Sequence, residues 1–565
     1  MLLGITFLSF AMMRVAGSDA ITELYGDKGA VAQEVIDAKR AELGLDQPFL
    51  TQYFAWLGGL LTGDMGVSYV SGRNVFDTFV SKLPATLLLT ALSMHYFGLW
   101  LDKIQSETKL LLAQTEKAER KTVRKRQQAV QHRILLLAVI LHIGVLFALK
   151  YSGFAATNVN TLLAHLHIPV QLAIPKYVMP IGISFFTLQA LSYIVDVQRG
   201  VTKADTNLLR LTLFISFFPQ IVEGPICRYD QTAQQLWDAK PITYENLTLG
   251  LQRIAYGMMK KVIIADRLNP LVRNVFNNYT DFDGGVIALA AVCYTVQLYM
   301  DFSGSMDAVT GTAQILGVTM PENFRQPFFS KTISEFWKRW HITLGTWFKD
   351  YVFYPVVTLK PLEKLTSAAR KRLGNHYGPL LASAVALFCV WFCNGLWHGA
   401  AWSYLFFGMY HFVLILGGNI IAPPVRAVNA RLHIRAESFP YRLLQMLRTT
   451  VLVIIGELFF RANGLRAGMQ MFRTMVTGFA FPVFDDALFK ALGIDKFDLM
   501  IVAVTLLIVF VVSVINEKGK SVRALLAQRP AAVRWTVFYA LILFIIVFGA
   551  YGKGYIPVDP MYANF

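Results

Sequence analysis

Asn394-Gly395-Leu396-Trp397-His398-Gly399-Ala400 sets a histidine inside the stretch 380–425, which carries no Asp, Glu, Lys or Arg. Imidazole titrates near neutrality, so a histidine among apolar residues can take a proton from a hydroxyl and return it. Apolar surroundings also favour the neutral, proton-accepting ring. An ionisable group in a membrane-grade segment is by default a functional candidate; the alternative is a histidine satisfied by a neighbouring helix. The chemistry that suits such a residue is general acid–base exchange with a hydroxyl.

The elements that must hold this histidine are membrane helices. Of the 565 residues, 55% are hydrophobic and only 16% charged, more apolar than a soluble protein usually is. The composition predicts an all-α polytopic membrane protein. Apolar runs near the roughly 17 to 25 residues that span a bilayer fall at 84–101, 133–150, 174–195, 207–222, 283–300, 380–397, 401–421, 445–460, 499–515 and 534–551. Met1 to Met13 is apolar but lacks a basic start and a clear cleavage site, so it reads as an anchoring segment.

The formal charge of +17 is distributed as a membrane protein distributes it. Lys117, Arg120, Lys121, Arg124, Lys125 and Arg126 form one basic loop, and Lys364, Arg370 and Lys371 lie in another. Short basic loops beside spans read as cytoplasmic. Because these residues sit between spans and not on a separate domain, nucleic acid is not an expected partner. Cys389 and Cys393 share a helix face, but no further Cys or His at ligand spacing completes a zinc site, so no metal is expected and packing is the expected role. Asp301 and Asp307, six positions apart, do not share a helix face, which argues against a paired-carboxylate device. They are expected to orient a histidine, bind a cation or pair with a buried arginine. Glu223 and Arg228 are expected to pair across a helix broken at Gly224-Pro225. No nucleophile elbow, P-loop or dinucleotide fingerprint occurs in the required context.

Two unlike parts join near residues 90 to 96. Leu43-Gly44-Leu45-Asp46-Gln47-Pro48, Gln52-Tyr53, Gly63-Asp64, Gly66, Ser68-Tyr69 and Leu83-Pro84-Ala85-Thr86-Leu87 resemble the start of the permease subunit of dipeptide and nickel ABC importers. Residues 1–94 are thus expected to be a permease-like fragment, either a fusion or a gene-joining artefact, supplying no active-site group from residues 1–80. From His95 onward, motifs recur in order: Pro180 to Thr187 with Tyr193 and Asp196; Phe218-Pro219-Gln220 with Glu223-Gly224-Pro225 and Arg228; Lys260-Lys261 with Ala265-Asp266; Gln297 to Gly304 with Asp307; Pro321-Glu322-Asn323-Phe324; Phe336-Trp337-Lys338-Arg339-Trp340-His341; and Leu396-Trp397-His398-Gly399. This series resembles the membrane-bound O-acyltransferase family, in particular its bacterial alginate O-acetylase and teichoic-acid D-alanyl transfer branches, and covers about residues 95–565.

The resemblance implies a multi-helix core with a buried tunnel and an acyl group (acetyl or D-alanyl) taken from a cytoplasmic thioester donor, acetyl-CoA or an acyl carrier protein. The acceptor would be a hydroxyl of an extracytoplasmic glycan or teichoic-acid-like polymer, often served by an extracytoplasmic transferase partner. No bound cofactor is implied; membrane lipid surrounds the chain, in the bacterial plasma membrane. The implied catalytic residues are His398 and His341, with Asp301, Ser303, Arg339, Trp340, Asn394 and Trp397 at the substrate. His341 has a second reading, as an interfacial anchor with Trp337 and Trp340. Family members usually begin with extra membrane helices, and here the permease-like piece stands in their place. The alternatives from other classes are an ABC importer permease subunit and a non-catalytic membrane scaffold.

Overall fold

A computed structural model describes residues 44–64 and 88–551 apart from 176, 178, 179, 181 and 222, together with isolated positions among the first 87. Met1 to Met13 and Leu83 to Leu87 lie largely or wholly outside the described residues. The described chain is helical and without strands, and twelve helices matter for the site. They are α1 (Leu89–Gln114), α2 (Arg120–His165), α3 (Ile183–Arg199), α4 (Tyr244–Met258), α5 (Gly284–Ile315), α6 (Ile333–Arg339), α7 (Ile342–Phe348), α8 (Lys360–His398), α9 (Trp402–Arg431), α10 (Phe439–Arg461), α11 (Lys496–Glu517) and α12 (Ala531–Phe548).

Seven described helices, α2, α5 and α8 to α12, are long and apolar enough to cross a membrane. This is a multi-pass membrane protein. Each of the seven overlaps one of the apolar runs expected from sequence. The remaining three runs come out differently. The run at 84–101 enters α1, which continues through Asp102, Lys103, Glu107 and Lys109. The run at 174–195 becomes the 17-residue α3, whose first residue follows Gly182 in the left-handed region at φ 77°. The run at 207–222 breaks at Phe217 into Leu208–Ser216 and Phe218–Ile221. Apolar composition marked all three, but the first runs on into charged residues, and backbone breaks at Gly182 and Phe217 shorten the other two.

Small residues decide how closely the core helices approach. α4 and α5 run antiparallel with glycines facing glycines: a Cβ on Gly250 would lie 2.6 Å from Gly311 O, and one on Gly257 would lie 2.4 Å from Gly304 O. Backbone cannot yield as a flexible side chain can, so these positions set the spacing. Asp283 caps α5 by accepting from Gly285 N at 2.9 Å and Val286 N at 3.0 Å. α8 bends at Gly374, where φ is 76°, separating its basic first part from the apolar part that runs to His398. α8 and α9 then form a tight hairpin in which a Cβ on Gly408 would lie 2.3 Å from Trp391 O.

Candidate active site

His398 is the final residue of α8 because the chain turns out of the helix at Gly399, in extended backbone, before α9 begins at Trp402. A side chain at 399 would force Tyr404 to move, since its Cβ would sit 2.4 Å from that ring. The His398 ring is buried and set edge-to-face against Phe460 of α10, with centroids 5.1 Å apart, and against Phe407 of α9 at 6.1 Å. Aromatic faces on two sides confine it without charge.

His341 sits between α6 and α7 with φ 46°, a left-handed conformation uncommon for a residue with a Cβ. Such strain is retained where surroundings over-determine it, frequently at functional sites. The restraint comes from Asn323, whose Oδ1 accepts from Thr343 N at 3.1 Å, from Thr343 Oγ1 at 2.9 Å and from His341 Nδ1 at 3.2 Å. The backbone amide of Thr343 can only donate, so it fixes the oxygen of the Asn323 amide toward His341. Nδ1 of His341 therefore carries the hydrogen, and Nε2 is the accepting nitrogen. The indole of Trp397 links the two histidines, 5.7 Å from the His341 ring and 5.0 Å from that of His398.

One cavity of about 570 Å³ is lined by both histidines together with Trp340, Asn394 and Glu457. Along α8 its wall is Leu380, Ser383, Leu387, Val390, Asn394 and His398, one face of a helix at three- and four-residue steps. At roughly 1.5 Å per residue that face extends about 27 Å, close to the roughly 30 Å of a hydrocarbon core. Two exposed lysines, Lys338 and Lys349, also lie on its wall, whereas the histidines, Asn394 and Glu457 are buried. The cavity combines a long apolar wall, a polar buried end and an exposed cationic rim.

The other residues expected at the substrate divide. Trp340 and Asn394 line the histidine cavity, and Trp397 packs against both histidines without lining it. Ser303 and Arg339 instead line a second, larger cavity of about 1050 Å³. There Ser303 Oγ accepts from Lys260 Nζ at 3.0 Å, while Arg339 is paired with Glu335 at 2.8 Å and Glu517 at 2.7 Å. Asp301 lines neither cavity and forms a buried ion pair with Lys261 at 2.8 Å. Its place is therefore in a charge pair between helices and not at the substrate end. Asp307 likewise pairs with Lys260 at 2.6 Å and Arg253 at 2.9 Å. The expected Glu223–Arg228 pair is absent among the described residues; Arg228 pairs with Asp350 at 3.0 Å and lies over the ring of Tyr351. Among the described residues no group of His, Cys, Asp and Glu is arranged to hold a metal. No described residue of 1–80 lines either cavity.

Three polar groups at this site escaped the sequence reading. Glu457 is buried on the cavity wall, and its Oε2 makes no hydrogen bond. Lys150 and Tyr151 of α2 donate to main-chain carbonyls at the end of α8. A signal was present for two of them, since Glu457 and Lys150 each stand alone among apolar residues, the pattern that marked His398.

Comparison with known proteins agrees with this architecture. Residues 109–370 match the model of MBOAT, the membrane-bound O-acyltransferase family. That part of the chain is similar to the membrane-bound O-acyltransferase family. His341, Asp301 and Asn323 lie inside the matched region, and His398 lies beyond it. Residues 1–90 match the N-terminal model of binding-protein-dependent transport system membrane components. A probable alginate O-acetylase, AlgI, of Azotobacter vinelandii is 32% identical over 62% of this chain and 64% of its own length. A peptidoglycan O-acetyltransferase of Helicobacter pylori is 27% identical over 60% of this chain and 64% of its own. A teichoic acid D-alanyltransferase of Bacillus subtilis is 32% identical over 42% and 58%, respectively. The chain thus spans about three fifths of the length of the curated relatives it matches.

Proposed function

We propose that the chain is a membrane O-acyltransferase of the bacterial plasma membrane that transfers an acyl group, acetyl or D-alanyl, to hydroxyls of an extracytoplasmic glycan or teichoic-acid-like polymer. The observation that carries this reading is the single cavity that joins His398 and His341, 57 residues apart in sequence (398 − 341), at the polar end of a membrane-long apolar wall. The similarity of residues 109–370 to the acyltransferase family and the activities named for its relatives support the same class.

In this reading an acyl thioester, as acetyl-CoA or on an acyl carrier protein, approaches from the cytoplasmic side, and its acyl end follows the α8 face to His398. His398 takes the proton of the acceptor hydroxyl as its oxygen bonds to the thioester carbonyl carbon. The tetrahedral oxyanion collapses with loss of the thiolate, which is then protonated. Asn394, one turn before His398, supplies an amide toward the oxyanion. The accepting Nε2 of His341 orients the hydroxyl, while the aromatic walls keep out bulk water. Lys338 and Lys349 at the rim suit an anionic donor or polymer. An extracytoplasmic transferase partner that completes delivery to the polymer belongs to the same proposal.

Mild alkali applied to envelope polymers tests the class and the acyl group together. Cells lacking the chain are expected to release less acetate or less alanine than cells carrying it, and the acid that changes names the group transferred. Equal release of both from the two strains refutes the reading. The Asn323 restraint has its own expected result. Asn323→Leu removes the acceptor that sets the His341 tautomer, so surface ester per folded molecule falls about 10-fold or more, in the range that misplacement of a reacting group costs. It also leaves the Thr343 donors without their acceptor, a loss of about 1–3 kcal/mol that a lowered melting temperature in detergent registers.

A further inference from the structure

The last carbonyls of an α-helix have no partner within the helix, and in a membrane water does not reach them freely. At the end of α8 two of the last carbonyls are met from α2, that of Trp397 and that of Leu396, which also accepts from Gly399 N at 3.1 Å. Lys150 Nζ donates to Trp397 O at 2.7 Å, and Tyr151 OH donates to Leu396 O at 2.6 Å. Lys150 Nζ also donates to Ser184 Oγ of α3 at 3.3 Å, so a single ammonium ties three helices together at the residue preceding His398. The two donors are adjacent in sequence and lie in a single wide turn, Phe147–Tyr151, within α2. Such turns are rare and concentrate at functional sites. A cation at a helix C-terminus is favoured by the helix dipole, and a lysine amid apolar span residues has a large desolvation cost to recover. Here its shorter contact, at 2.7 Å, is with the terminus that carries the proposed base. Lys150 lines neither cavity, so contact with substrate is not its means of acting.

We infer that Lys150, with Tyr151, is a positioning residue for the acyl transfer: it clamps the carbonyl end of α8 and thereby fixes where the His398 ring stands in the cavity. The inference rests on the reading of His398 as base. The clamp is ionic at Lys150 and neutral at Tyr151, and it acts through backbone, so the identity of the substrate does not matter to it. The ammonium carries most of the effect because it makes two of the three contacts.

The test uses the full-length chain in its native membrane, with alkali-labile surface ester measured per folded molecule for wild type, Lys150→Met, Lys150→Arg, Tyr151→Phe and His398→Ala. Lys150→Met is expected to lose about 10²-fold in turnover, the scale on which a misplacement of about 1 Å acts. Lys150→Arg, which retains a long cation, is expected to recover most of that loss, and Tyr151→Phe to lose less than Lys150→Met. Rescue by arginine separates a clamp on the carbonyls from simple filling of space, which methionine would satisfy. If Lys150→Met turns over at the wild-type rate while His398→Ala is inactive, the clamp is refuted and the base reading stands. If His398→Ala is itself active, the base reading fails and the clamp with it. Should Lys150→Met fold poorly, Tyr151→Phe and Lys150→Arg decide: wild-type turnover by Tyr151→Phe together with no recovery by folded Lys150→Arg overturns the inference.

Discussion

Replacing His398 with alanine is expected to remove nearly all surface acylation while leaving the protein at its normal abundance. A positioned general base contributes about 10²- to 10⁴-fold, and the confined site has no second group so placed at the end of α8. Folding should survive because the α8–α9 hairpin is set by close glycine approaches that the substitution leaves in place, and alanine removes only the ring contacts with Phe460, Phe407 and Trp397. His398→Gln preserves size and hydrogen-bonding capacity but has no nitrogen that accepts a proton near neutrality, so it should be as inactive as alanine. Surface ester is read by alkaline release and protein abundance by immunoblot of the same membranes. Undiminished ester at equal abundance would show that some other group takes the hydroxyl proton.

Asp301→Asn is expected to fail in the opposite way, with loss of folded protein and little change in turnover per surviving molecule. Asp301 is 2% exposed, and its partner Lys261, whose ammonium is 2.8 Å away, is 7% exposed. Asp266 stands farther from that ammonium, at 3.4 Å. Removing one member of a buried ion pair typically costs about 3–5 kcal/mol; Lys261 loses its nearer carboxylate and keeps the more distant Asp266, so the expected cost lies toward the lower end of that range. Set against the roughly 5–15 kcal/mol that usually holds a fold together, that is a large share. Detergent size-exclusion chromatography and thermal unfolding measure the folded fraction, and ester per folded molecule measures the chemistry. A well-folded Asp301→Asn protein with little activity would return Asp301 to the substrate site, where sequence alone had set it.

These two residues show how far the sequence could be read. His398 was legible because a histidine flanked by more than a full span without formal charge needs a reason to be there, and the structure sets it on a cavity wall with His341. Asp301 was legible only as important. The family resemblance set it with Ser303 at the substrate, but a helix turns about 100° per residue. Ser303 consequently faces the larger cavity, whereas Asp301 faces Lys261. Arg339 and Trp340 divide in the same manner: adjacent in sequence, they line different cavities. Motif membership is shared along a segment, but facing is not.

By itself the sequence determined the class of protein and most of its spans, since the cost of burying polar groups in hydrocarbon acts on every residue of a run and needs no knowledge of neighbours. It also determined that His398 and His341 were the residues to follow. Only the tertiary structure decided which polar groups meet them. Lys150 reaches Trp397 across 247 residues and Glu457 reaches the cavity from α10, while Asn323 sets the His341 tautomer across 18 residues. Hydrogen bonds and ion pairs act over about 3 Å, and such distances between remote segments exist only once glycine-spaced helices have closed on one another.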